Sequence, residues 1–192
     1  MLYKPRGSFS LHFTSKQLAI AGLLIAMEII FTRFFAVMIP VAGVGGVRLG
    51  LGPVPVIVGG LMFGPVLGGA IGGVADIIGY LMNPFGAAFN PFITLASVMY
   101  GVIPPLMLTL IRSKEPPTIL QMGVAITATQ LVSSLLLTTY GLQLLYGIPF
   151  IALLPARLVA NVILIPSFTA VCTFLYAKIG HTKFVEALRE SG

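Results

Sequence analysis

Charge is what this 192-residue sequence has least of. Only 8% of its positions are Asp, Glu, Lys or Arg, against 57% apolar. A soluble domain carries about a quarter charged residues, so an ordinary cytosolic enzyme is excluded. Tryptophan is absent, and cysteine occurs once, at Cys172, inside an apolar run. One thiol offers neither a disulfide framework nor a cysteine metal cluster. The two histidines, His12 and His181, fall in polar tails, which argues against a histidine metal site within the membrane. There is no G-x-x-x-x-G-K-[ST] segment, so ATP hydrolysis by a P-loop is excluded. No Ser/His/Asp set, metal-ligand pair or dinucleotide glycine fingerprint lies in the apolar segments. The expectation is a non-enzyme with no catalytic residues, no metal, no cofactor and no nucleic-acid partner.

What the sequence does contain is long apolar runs. A helix needs about 20 apolar residues to cross the hydrocarbon core, so six crossings take roughly 120 to 140 residues and leave only loops and tails. The runs predict spans at 17–39, 53–64, 65–82, 91–111, 118–145 and 149–177. The first is too long for a signal-peptide core. The second carries Pro53 and Pro55 and abuts the third at Gly64-Pro65, which predicts a tight or partly broken helix pair. Between spans one and two, Pro40 to Gly52 forms a long glycine-rich loop, a length often used for lids or binding. The expected fold is an all-α integral membrane domain over 1–192, with tails at 1–16 and 178–192. Eight of the eleven basic residues (Lys4, Arg6, Lys16, Arg112, Lys114, Lys178, Lys183 and Arg189) fall on one side of six spans. The positive-inside rule makes that side, and both termini, cytoplasmic. The predicted location is the cell membrane, a bacterial plasma membrane, crossed several times.

The other three basic residues, Arg33, Arg48 and Arg157, all fall in the outer third. At 1.5 Å per residue, Arg33 lies roughly 25 Å beyond Lys16, and Arg157 about 12 Å in from the outer start of span six. A guanidinium presents a planar fork suited to carboxylate or phosphate, and an ionisable group within a bilayer marks a functional site by default. The competing readings are snorkelling to lipid phosphates and pairing with Glu28 and Asp76. Three arginines against two acids leave an excess that an anionic ligand from outside would balance. Asn161 is a helical neighbour of Arg157. Asn90, Thr94 and Ser97 repeat at i, i+4, i+7, as do Thr127, Gln130, Ser134 and Thr138 at similar spacing. Single hydroxyls more often bond back to their own helix, but the amides Asn90, Gln130 and Asn161 each need partners of both kinds. Together with Asp76, at the end of Gly68-Gly-Ala-Ile-Gly-Gly-Val-Ala-Asp, they outline a polar cavity for a planar, donor- and acceptor-rich heterocycle.

Gly60, Gly64, Gly68 and Gly72 recur at four-residue spacing, as helices in close backbone contact require. Ala19, Gly22 and Ala26 place small residues on the inner half of the first helix, where another membrane helix could dock. Asn83-Pro-Phe and Asn90-Pro-Phe sit seven residues apart in one outer loop, unlike the pair in aquaporins; the reading is a turn and a helix start, with Pro91 in the first turn. Without an ATPase motif or an inverted repeat, an energising partner is favoured over solo transport.

Six helices, a long outer first loop and a small-residue patch on the first helix resemble the substrate-binding S components of energy-coupling factor vitamin transporters. Arg48-Leu-Gly-Leu-Gly-Pro-Val-Pro-Val-Ile-Val-Gly-Gly-Leu-Met-Phe-Gly-Pro, Gly72-Gly-Val-Ala-Asp-Ile-Ile-Gly-Tyr-Leu and Asn90-Pro-Phe-Ile-Thr-Leu look most like the folate-specific members. The resemblance implies a high-affinity folate-binding subunit of an ATP-driven importer. It also implies a transmembrane coupling protein and two cytoplasmic ATPases as partners, with membrane lipid around them. Gly22 and Ala26 stand at the family's Ala-x-x-x-Ala pattern, implied to meet the coupling protein. Folate's two tail carboxylates suit arginines, its pterin suits deeper amides or a carboxylate, and Phe85, Phe89, Phe92 and Tyr100 are stacking candidates. The absence of tryptophan argues against the thiamin-specific members. The alternatives are another vitamin, such as riboflavin or pantothenate, or a stand-alone channel or carrier.

Overall fold

A computed structural model describes residues 13–41, 44–83, 88–113 and 116–179. Six helices run in order: α1 Ser15–Phe34, α2 Pro53–Phe63, α3 Pro65–Met82, α4 Pro91–Leu110, α5 Ile119–Tyr146 and α6 Phe150–Ile179. Two antiparallel strands, β1 Val37–Val41 and β2 Val44–Leu49, lie between α1 and α2. The six-helix membrane fold expected from the sequence is the one observed, with two corrections.

The first concerns span one, placed at 17–39. The helix stops at Phe34, and Val37–Val41 pairs with β2, from Val37 opposite Leu49 to Val41 opposite Val44. The register shifts between Ile39 and Pro40, as a proline that cannot donate to a ladder requires. An apolar run of this length reads equally as helix or strand. The long outer loop is therefore a hairpin.

The second concerns α2. Its 11 residues rise about 16 Å, short of the roughly 30 Å core, whereas the other five helices are long and apolar enough to cross. Every α2 residue from Val54 to Phe63 is buried, so its apolar surface faces protein on all sides. α2 packs with α3 and α4 through glycines. A Cβ on Gly60 would strike the Gly101 carbonyl oxygen, and one on Gly101 the Gly68 carbonyl. The four-residue glycine series thus works as expected, by backbone approach.

Local sequence starts each helix. Prolines open α2, α3 and α4, where their missing N–H costs nothing. The Asn90 side chain caps α4 by accepting from the Phe92 N–H at 3.0 Å, and Pro91 occupies the first turn as read. A reciprocal capping box opens α5, with the Thr118 N–H donating to Gln121 at 3.0 Å and the Gln121 N–H to Thr118 at 3.3 Å. α5 ends on Gly147 at φ 67, a left-handed cap that glycine adopts freely. Within α5, Leu131–Thr138 winds as a π-helix.

The topology sorts the helix ends. α1 finishes, α3 finishes, α4 starts, α5 finishes and α6 starts at one end of the bundle. The N-terminal start of α1 and the C-terminal finish of α6 both lie at the other.

Candidate functional site

At the end opposite the termini, the helices enclose a cavity of about 310 Å³. Its walls come from α1 (Glu28, Thr32, Arg33), α3 (Asp76, Tyr80), α4 (Ser97, Tyr100), α5 (Ser134, Thr138) and α6 (Arg157), with Asn90 just ahead of α4.

Charges of both signs face this space. Glu28 accepts a 2.7 Å hydrogen bond from the Thr32 hydroxyl one turn on. Asp76 accepts one of 2.7 Å from Thr94, so α4 orients a carboxylate carried by α3. Arg33 lies in the field of both acids and donates through Nη1 to the Asn83 carbonyl at 2.6 Å. Arg33 thus lines the cavity within reach of both acids' charge, with its guanidinium held on a backbone carbonyl. Arg157 is 7% exposed and part of the cavity wall, and its charge acts on the Tyr100 hydroxyl. Asn90 is buried, with its amide donating to the Gly141 carbonyl at 2.6 Å.

The expected site residues divide. Arg33, Asp76, Asn90 and Arg157 line the cavity. Thr94 stands behind Asp76 as its hydrogen-bond donor. Gln130 is fully buried behind Tyr100, whose hydroxyl it accepts at 2.6 Å. Asn161, 4% exposed, lies one turn beyond Arg157 and outside the lining. Arg48 lies on β2 opposite Met38; its side chain, like Phe85, is outside the described residues. Among the described side chains, the cavity wall holds two arginines, Arg33 and Arg157, and two acids, Glu28 and Asp76.

Two of the lining residues that the sequence did not single out, Thr32 and Tyr80, belong with the acids. Each stands four positions beyond an acid, Glu28 and Asp76 respectively, so the helical neighbour rule applied to the acids as well as to Arg157 would have found them. Thr127 departs from its expected stripe: it borders a shallow apolar groove on α5 and bonds back to the Gly123 carbonyl at 2.8 Å. The π turn that follows it re-aims the rest of the stripe. Among the described residues, no three His, Cys, Asp or Glu side chains come together to hold a metal.

On α1, Ala19, Gly22 and Ala26 are all exposed on the bundle exterior, and among the described residues nothing outside Gly22's own helix backbone lies within 4 Å of a Cβ built there.

Comparison with known proteins adds the following. Residues 16–176 match the family model for the ECF transporter, substrate-specific component. The folate transporter FolT of Clostridium novyi (strain NT) is 34% identical over 148 residues, 76% of this chain and 78% of that protein. A crystal structure of FolT bound with folic acid superposes with a TM-score of 0.70 at 26% identity, covering 86% of this chain and 95% of that one. The S component of a bacterial ECF transporter shares the fold, with a TM-score of 0.62 over the same shares at 21% identity.

Proposed function

Since the chain belongs to the substrate-specific components of ECF transporters, a multi-pass membrane subunit and not an enzyme, we propose that its ligand is folate. It captures the vitamin from outside the cell and delivers it inward with a separate energising module.

The observation that carries this reading is the mixed charge of one cavity. Glu28 and Asp76 face the same 310 Å³ as Arg33 and Arg157, within the size range of small-molecule pockets, about 300 to 1,000 Å³. Folate is bipolar in the matching sense. Its glutamate tail carries two carboxylates for guanidinium forks, and its pterin presents N–H donors that a carboxylate accepts. A purely anionic ligand would leave two acids facing it. The kinship with a folate transporter and with a folic-acid-bound structure points the same way.

Orientation follows from charge. Lys16, Arg112 and Lys178 mark the end that holds the termini, and the positive-inside rule puts that end in the cytoplasm. The cavity then opens outward. The exposed small-residue face of α1 supports docking of a transmembrane coupling protein, itself joined to two cytoplasmic ATPases.

Titration calorimetry of the purified chain against folate, riboflavin, pantothenate and thiamin tests the assignment. Folate is expected to bind, and the others not. Tight binding of riboflavin or pantothenate without folate overturns it. Robust uptake by proteoliposomes that contain this chain alone overturns the need for a module.

A further inference from the structure

The glycine series of α2 and α3 runs through Gly60, Gly64, Gly68 and Gly72, and the next two places in that register are Asp76 and Tyr80. Gly79 stands outside it. Helix packing accounts for the earlier glycines, since a Cβ on Gly68 or Gly72 would strike the backbone of α2 or α4. Gly79 meets something else. A Cβ built there would lie 2.9 Å from Nη2, 3.1 Å from Nε and 3.4 Å from Cζ of Arg33. All three nearest atoms belong to one guanidinium, so the planar group of Arg33 rests on the bare backbone of α3.

Three features fix Arg33 on that seat. Its Nη1 donates to the carbonyl of Asn83, at the C-terminal and hence negative pole of α3. Its charge is flanked by Asp76 and Glu28. The side chain remains part of the cavity wall. The fork is thereby held in one orientation before any ligand arrives, and preorganisation of this kind raises affinity by lowering the ordering cost of binding.

From this geometry we infer that Gly79 is a positioning residue: it sets where the Arg33 fork stands and so determines the preference for a ligand with a carboxylate tail. The inference rests on the folate reading of the cavity. A methyl group at position 79 meets the far end of a flexible side chain, not backbone, so the guanidinium moves and the helix stays. Helix propensity alone favours alanine over glycine, so stability and tail recognition change in opposite directions.

The test uses the purified full chain, with folate and its dimethyl ester, whose tail is neutral, as probes. Gly79→Ala is expected to weaken folate binding about tenfold while changing ester binding less than about twofold, with an unchanged or higher melting temperature. In an Arg33→Ala background, Gly79→Ala is expected to add less than about twofold, because the two act as one unit. Equal losses for folate and ester, or additive effects in the double variant, overturn the role of Gly79. A wild-type chain that binds neither probe overturns the folate reading and this inference with it.

Discussion

The hydroxyl of Tyr100 donates a 2.6 Å hydrogen bond to Oε1 of Gln130, tying the cavity wall to a layer of buried amides beneath it. Gly123 faces Thr169, whose methyl would lie 3.6 Å from a Cβ built on the glycine, and this marks one common level of antiparallel α5 and α6. Seven residues along α5 from there is Gln130, and eight back along α6 is Asn161, so the two amides share a level. Nε2 of Gln130, Oγ of Ser133 and both polar atoms of Asn161 find no hydrogen-bond partner among the described residues. The Tyr100 bond is thus one of few that satisfy this layer, where water is scarce and an unmet polar group is costly.

Tyr100→Phe is therefore expected to cost more than one ordinary hydrogen bond. It leaves the buried Gln130 oxygen without its donor, a penalty of about 1 to 3 kcal/mol. Thermal unfolding in detergent should show a lower midpoint. Combining it with Gln130→Leu should recover part of the loss, since the donor and the acceptor of this bond are then both gone. A double variant less stable than either single one would contradict this account.

How much of this was legible beforehand depended on range. The start of α4 was readable because Asn90 and Pro91 act within three residues of each other. The polar face of α6 was readable because Arg157 and Asn161 obey a fixed spacing, although only Arg157 reaches the cavity wall. The end of α1 was not readable, because Val37–Val41 continues an apolar run and only pairing with β2 makes it a strand. The π turn of α5 left no mark in composition, so Thr127 was assigned to the wrong face. The bond from Thr94 to Asp76 joins two helices and has no spacing in the sequence to announce it. Cross-helix relations of that kind, Gly79 beneath Arg33 among them, have no local signature.

Arg157 carries the strongest prediction about ligand binding. It is 7% exposed, in the cavity wall, beside Tyr100. Truncating one member of a buried, hydrogen-bonded charge pair costs about 2 to 5 kcal/mol, so Arg157→Ala should weaken folate binding more than tenfold by calorimetry. Arg157→Lys keeps the charge but not the bidentate fork, and should restore only part of the affinity. Unchanged affinity in the alanine variant would remove Arg157 from the site.

The helix core sets a separate limit. A Cβ on Gly101 would strike the Gly68 carbonyl and approach the Gly69 nitrogen at 2.7 Å. These are backbone atoms, so α3 and α4 must separate. Overpacking costs about 1 to 3 kcal/mol and occasionally more. Gly101→Ala should lower both the yield of monodisperse protein and its melting temperature. At Gly123, where the nearest atom is 3.6 Å away on Thr169, alanine should do neither.

Gly22 offers the opposite case, and separates binding from transport. No atom of another described element lies within 4 Å of its missing Cβ, and it sits between exposed Ala19 and Ala26, so a leucine there starts outward from the bundle. Helix propensity favours the larger residue by several tenths of a kcal/mol or more. Gly22→Leu should therefore melt no lower than wild type and bind folate with affinity unchanged within about twofold. A small-residue face matters where another helix approaches closely, and leucine would hold that helix away. Uptake by cells that supply the energising module should then fall sharply although the vitamin is still captured. Full uptake by the leucine variant would show that the coupling protein docks elsewhere on the bundle.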